Sequence, residues 1–306
     1  MIKLNQTDLS VSNLCFGGNV FGWTADKDQS FELLHRFTEL GGNFIDTADV
    51  YSAWKEGNQG GESESIIGQY TKQKGNRDQL VIATKVAMLE SRKGLSSKNI
   101  IAACDESLKR LQTDYIDIYY AHSDDLENDL EDTLFGFNEL VKAGKVRYIA
   151  ASNYTYDRLK LALEISEKNN FAKYIALQNR YSLVAREPYE SDGAKSVQTF
   201  NISGLPYSTL GSGFLSGKYQ AGMDVDSQRA AGVNNMYATA ENFKLLERLA
   251  KVAQDHNASY TAIALAWLRM QPGVTVPLAS GRTIEQLNAL MQEVSISSDE
   301  AAFIAG

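Results

Sequence analysis

The chain has 306 residues, 43% of them hydrophobic and 22% charged, with a formal net charge of -8. That composition belongs to a globular chain with a sizeable core and excludes disordered and fibrous classes. Acidic balance without a basic stripe argues against nucleic acid or an anionic membrane as partner. The N-terminus has no apolar signal-like run and no segment is long and apolar enough to span a bilayer, so a cytoplasmic location is expected. Cys15 and Cys104 sit in apolar surroundings and read as buried, reduced thiols; no Cys/His cluster points to a metal.

In chain order, residues 2–12 read as a short hairpin. Eight short apolar, β-branched runs follow: NLCFGG (13–18), NFIDTA (43–48), QLVIATKV (79–86), YIDIYYAH (115–122), KVRYIAAS (145–152), KYIALQ (173–178), NISGLPYS (201–208) and GVTVPLA (273–279). Between them lie segments of helical period. In 28–42, Phe31, Leu33, Leu34, Phe37 and Leu40 recur at helical spacing before Gly41 and Gly42 end the pattern. The segment 97–112 takes Ser97 as its N-cap and carries Lys109 and Arg110 in its last turn. A third, 131–145, stops at Gly144. Residues 186–200 and 217–240 read as insertions, the second a candidate mobile loop near a ligand. Eight strand–helix repeats predict an α/β fold, a (β/α)8 TIM barrel with the hairpin closing its bottom, as one domain over 1–306.

In such a barrel the strand ends converge on one mouth. The second run ends near Asp46 with Tyr51 beyond it, the third at Thr84-Lys85 and the fourth at His122. Lys85 stands in an otherwise apolar run, and a buried ammonium needs a partner, for which Asp46 is placed. A cation near a phenol lowers its pKa, so Tyr51 is expected to act as a general acid, with His122 orienting a carbonyl oxygen. This is a site for carbonyl reduction by hydride from an external donor. Ser152, Asn153 and Gln178 at adjacent strand ends suit a carboxamide, Tyr207 a flat ring, and the Ser/Gly run after it a phosphate. Arg282 and the helix carrying Glu285 and Gln286 offer a second anion site. No GxGxxG follows an early strand.

FIDTADVY, the TK of VIATKV, the His of YYAH, AASNY, QNRYSL, PYSTLGSGFLSGKY and PLASGRTIEQL, in this order and spacing, resemble the aldo-keto reductase superfamily over nearly the whole chain, in its bacterial, channel-β-subunit-like branch. The resemblance implies an NADPH-dependent oxidoreductase that reduces small aldehydes or ketones. Tyr51 would be the general acid, Lys85 and Asp46 its tuning pair, and His122 the carbonyl orienter. Ser152, Asn153 and Gln178 would hold the carboxamide, and Tyr207 would lie under the nicotinamide. The stretch Ser208, Leu210 and Gly213 would line the pyrophosphate with Lys218 nearby, and Ser280, Arg282 and Gln286 would face the adenosine 2′-phosphate. Family members often carry Pro-Gly where this chain has Ala279-Ser280, and an acid and an Asn where it has Ala289 and Leu290. Phe21, Trp23 and Trp54 are expected from their positions to line the substrate pocket. Two other readings are a cofactor-binding, redox-sensing regulatory subunit and a metal hydrolase using His122, Asp124 and Asp125.

Overall fold

Eight parallel strands answer the eight apolar runs one for one. The structure, a computed structural model, describes residues 1–220, 225 and 230–306. The hairpin β1 (Ile2–Lys3) and β2 (Ser10–Val11) comes first. Then follow β3 (Cys15–Gly17), β4 (Phe44–Asp46), β5 (Val81–Val86), β6 (Ile116–Ala121), β7 (Val146–Ser152), β8 (Tyr174–Gln178), β9 (Ser203–Gly204) and β10 (Leu278–Ala279). Strand order is β10-β3-β4-β5-β6-β7-β8-β9, all neighbours parallel. The remaining gap is bridged by backbone bonds: Thr275 and Val276 donate to Gly204 O at 2.8 and 3.2 Å, and Leu278 to Pro206 O at 2.9 Å. The sheet therefore curls into a (β/α)8 barrel.

Around it lie α1 (Lys27–Glu39), α2 (Glu62–Lys74), α3 (Ser97–Leu111), α4 (Leu130–Lys142), α5 (Tyr156–Asn169), α6 (Ala194–Phe200), α7 (Ala230–Tyr237), α8 (Ala240–Asp255), α9 (Tyr260–Arg269), α10 (Ile284–Met291) and α11 (Ser298–Ala305). Their starts follow capping chemistry. Asp26 and Gln29 form a capping box on α1, and Thr155, Thr239, Ser259 and Thr283 each accept a first-turn N–H. Among the described residues no helix is long and apolar enough to cross a membrane.

Two expectations are corrected. The N-cap of α3 is Ser96, whose hydroxyl accepts from Asn99 N at 3.3 Å; Ser97 is the first helical residue and gives its hydroxyl to Asp132 at 2.7 Å. Residues 186–200 are no insertion, because they hold α6, the helix of the unit that begins with β8. The other excursion, 217–240, lies partly outside the described residues; its described end forms α7.

The core has two layers. Cys15, Phe44, Val81, Ala83, Ile118, Tyr120, Ala150, Ala176 and Leu205 fill the barrel, and Leu4, Leu9 and Val11 of the hairpin join them from below. A larger shell packs the outward strand faces against the helices. Gly17 lets β3 approach β10 closely: a Cβ there would stand 2.4 Å from Ser280 Oγ, which would have to move. At the bottom the buried carboxylate of Asp117 accepts from Arg77 at 2.8 Å, Arg147 at 2.7 Å and Ile82 N at 3.0 Å. Arg147 also reaches the exposed Asp8 of the hairpin at 3.0 Å. Replacing Asp117 by Ala should cost about 3 kcal/mol in urea unfolding, because it takes the shared carboxylate from two guanidinium groups and leaves a buried N–H without its acceptor. Asp8→Ala breaks an exposed pair and should cost under about 1 kcal/mol.

Candidate active site

β4 and β5 are adjacent, so Asp46 and Lys85 emerge side by side at their C-terminal ends, both fully buried. Lys85 Nζ donates to Asp46 Oδ2 at 2.5 Å, to Thr47 O at 2.8 Å and to Tyr51 Oη at 3.0 Å. All three ammonium protons are therefore used, which is what a buried ammonium requires. Tyr51 Oη donates in turn to Asp46 Oδ2 at 3.2 Å, and Gln178 Nε2, from across the barrel, donates to Asp46 Oδ1 at 3.0 Å. The Tyr51 loop is held by Asp49 N on Lys85 O at 3.2 Å and by Ser52 Oγ on Phe21 O at 2.7 Å. The imidazole of His122 lies beside the Tyr51 ring, centroids 6.0 Å apart, and its Nδ1 is buried without a partner among the described residues.

Electrostatics at Tyr51 run opposite to the expectation from sequence. Burial, then the charge and hydrogen bond of Asp46, push its phenol well above 10. The contact with Lys85 is real, but Asp46 at 2.5 Å already offsets that charge and also accepts the phenol proton. Tyr51 is thus held protonated at rest. Burial, helped by Lys85, holds His122 well below the usual imidazole range, so the ring is neutral at working pH.

The expected cofactor residues fall into two groups on the same mouth. Tyr207 Oη donates to Asn153 Oδ1 at 2.8 Å, Asn153 Nδ2 donates to His122 O at 2.9 Å, and Ser152 Oγ donates to Gln178 O at 2.8 Å. These four side chains form one patch beside His122. Ser208, Gly211, Ser212 and Gly213 all take left-handed φ around Leu210, a pattern that makes backbone concavities for anions. Lys218 follows, its Nζ 5.3 Å from the Tyr219 ring centroid. Farther along, Ser280 Oγ donates to Asn19 and Arg282 N to Gln286 Oε1 at 2.9 Å; the exposed Arg282 side chain has no acceptor among the described residues.

Of the three aromatic residues expected at the substrate, the structure brings two to the site. Trp54 packs edge-on to both Tyr51 and Trp23, with ring centroids 6.1 and 5.5 Å apart, and is 49% exposed. Phe21 is not there: it is fully buried against Phe16, because its loop turns inward to anchor Ser52. Asp124 and Asp125, which a metal site with His122 would need, are engaged by Arg158 at 2.9 Å and by Leu95 N at 2.8 Å.

The model of the Aldo/keto reductase family matches residues 13–305. The chain belongs to the aldo/keto reductase family. An uncharacterized oxidoreductase, YrpG, of Bacillus subtilis is 32% identical over 97% of this chain and 91% of its own length. A norsolorinic acid reductase of Emericella nidulans is 31% identical over 96% and 77%. A probable aryl-alcohol dehydrogenase, AAD4, of Saccharomyces cerevisiae is 32% identical over 89% and 84%. This aldo/keto reductase is accordingly an oxidoreductase, in a family that uses a nicotinamide dinucleotide.

Behind the β4–β5 wall of this family member lies a buried polar layer that sequence reasoning missed. Thr84 Oγ1 and Arg110 Nε both donate to Glu64 at 2.6 Å, and Thr47 Oγ1 donates to Ser63 Oγ at 2.8 Å. Fully buried Asp49 has no side-chain hydrogen-bond partner among the described residues, only the Val50 backbone N–H nearby. Burial first, then the Glu64 charge, push it up to about 8. Because the folded state holds this proton longer than the unfolded chain does, stability is lost as pH rises from about 4 to about 8 and is level above that. An Asp49→Asn variant should therefore raise stability by roughly 2–4 kcal/mol more at pH 8 than at pH 5, read from urea unfolding at both.

Proposed function

We propose that this aldo/keto reductase is an NADPH-dependent reductase of aldehydes and ketones, with Tyr51 as the proton donor. The observation that carries the reading is the fully buried Lys85, bound at once to Asp46 and to the Tyr51 hydroxyl with neutral His122 alongside. The residues present fit the nicotinamide cofactor. The Asn153–Tyr207 patch offers an amide and a ring, the loop 208–213 with left-handed Ser208, Gly211, Ser212 and Gly213 offers a phosphate cradle, and Arg282 offers an exposed guanidinium with no acceptor among the described residues. When bound, the cofactor supplies hydride to the carbonyl carbon.

The protein's own part is positioning and proton delivery. A carbonyl oxygen seated between Tyr51 Oη and the His122 ring meets two neutral hydrogen-bonding groups, which favour charge developing on that oxygen. Tyr51, held protonated, donates to it. As the proton leaves, Lys85 Nζ at 3.0 Å from the phenol oxygen compensates the phenolate, while Gln178 steadies Asp46. Trp54 packs edge-on against Tyr51, and Trp23 packs against Trp54. Together with relatives named for an aryl alcohol and for norsolorinic acid, they favour aromatic carbonyls as substrates.

Tyr51→Phe should lower kcat for a benzaldehyde by about 10²–10⁴-fold while leaving NADPH affinity nearly unaltered, followed by loss of reduced-nicotinamide absorbance. If the variant turns over at the wild-type rate, Tyr51 is not the donor. Arg282→Ala should raise KM for NADPH by roughly 10–100-fold and leave KM for NADH within about twofold, since only the former carries a 2′-phosphate for the guanidinium to meet.

A further inference from the structure

We propose that Tyr120 is a positioning residue for the proton-donating site: the face of its ring holds the Lys85 ammonium in place between Asp46 and Tyr51. The role rests on the reading of Lys85 and Tyr51 given above. In the parallel β5–β6 pair Lys85 and Tyr120 are register partners, so strand alternation sends both side chains into the barrel. On its other flank Tyr120 is in register with Ala150, whose small side chain leaves room for the ring. Lys85 Nζ stands 5.7 Å from the Tyr120 ring centroid and 4.7 Å from that of Tyr51. Both lie within the ~6 Å over which a ring face attracts an ammonium, an attraction that strengthens where water is excluded. Lys85 and Tyr120 are fully buried.

The three protons of Lys85 already go to Asp46, Thr47 O and Tyr51 Oη, so what Tyr120 offers the ammonium is its ring. Its hydroxyl lies against the side chain of Gln178, the other donor to Asp46. Most of the barrel interior around it is aliphatic or small: Val81, Ala83, Ile118, Ala150, Ala176 and Leu205. A leucine would fill this space without bringing a hydroxyl into the interior. The aromatic side chain is explained by the cation it faces.

The test compares Tyr120→Leu, which removes the ring, with Tyr120→Phe, which keeps it. Each is made in the wild-type chain and in an Asp46→Asn/Lys85→Met background, where the charge pair is removed as a unit. In urea unfolding, Tyr120→Leu should lower the folding equilibrium constant by about tenfold more in the charged chain than in the uncharged background. Tyr120→Phe should cost the same in both. With NADPH and an aromatic aldehyde, kcat of Tyr120→Leu should fall about tenfold below that of Tyr120→Phe, with KM for NADPH alike. Equal costs of Tyr120→Leu in the two backgrounds, or equal kcat for the two variants, overturn the proposal. If the wild-type chain reduces no carbonyl, the functional reading fails, and the unfolding cycle still decides whether Tyr120 holds Lys85.

Discussion

The buried ion pair between Lys85 and Asp46 is the interaction on which the rest of the site depends. An ammonium inside a protein is costly unless a counter-ion and further acceptors surround it, and removing one partner strands the other. This chain meets the requirement from three parts of the barrel: Asp46 on β4, the Thr47 carbonyl just beyond it, and Tyr51 in the loop that follows. A fourth part, Gln178 on β8, braces the carboxylate from across the barrel. Strand order and register thus become chemical constraints, since a slip of one residue in β4 or β5 would turn the pair out of the interior.

Burial first, and then Asp46 of this pair, explain why Tyr51 rests as a protonated phenol. Lys85 is close enough to compensate a phenolate, but in the resting site its charge is already met by Asp46, which also accepts the phenol proton. Such a site keeps its acid loaded and has a cation at hand for the moment the proton leaves. The surroundings carry local costs that packing alone would not choose: a fully buried Asp49 carboxyl behind the wall, a His122 Nδ1 at the mouth with no partner among the described residues, and a fully buried Tyr120 hydroxyl beneath. Departures of this kind concentrate at functional sites.

Much of this was legible in the sequence, for physical reasons. The eight strands announce themselves because buried parallel strands read as apolar, β-branched runs. Lys85 stood out because a charge inside such a run demands a partner, and Asp46 and Tyr51 followed from it. The direction of the Tyr51 shift was not legible, because it is set first by how deeply the folded loop buries the phenol and then by the nearness of Asp46. Phe21 was placed at the substrate because it follows a strand end, but the turn of its loop carries it into the core. The layer of Asp49, Glu64 and Arg110 was hidden because its members lie far apart in the chain and no motif joins them. Family membership is shown by the match over residues 13–305, and Asp46, Tyr51, Lys85 and His122 lie together at the mouth of the barrel.

The central claim is that this cradle delivers a proton to a carbonyl oxygen while hydride arrives at the carbon. The most direct measurement uses NADPH deuterated at the transferring C4 position with an aromatic aldehyde, and examines the product alcohol by mass spectrometry and NMR. The account predicts one deuterium on the former carbonyl carbon, with the new hydroxyl proton exchanging with solvent. An alcohol formed without deuterium at that carbon would contradict it.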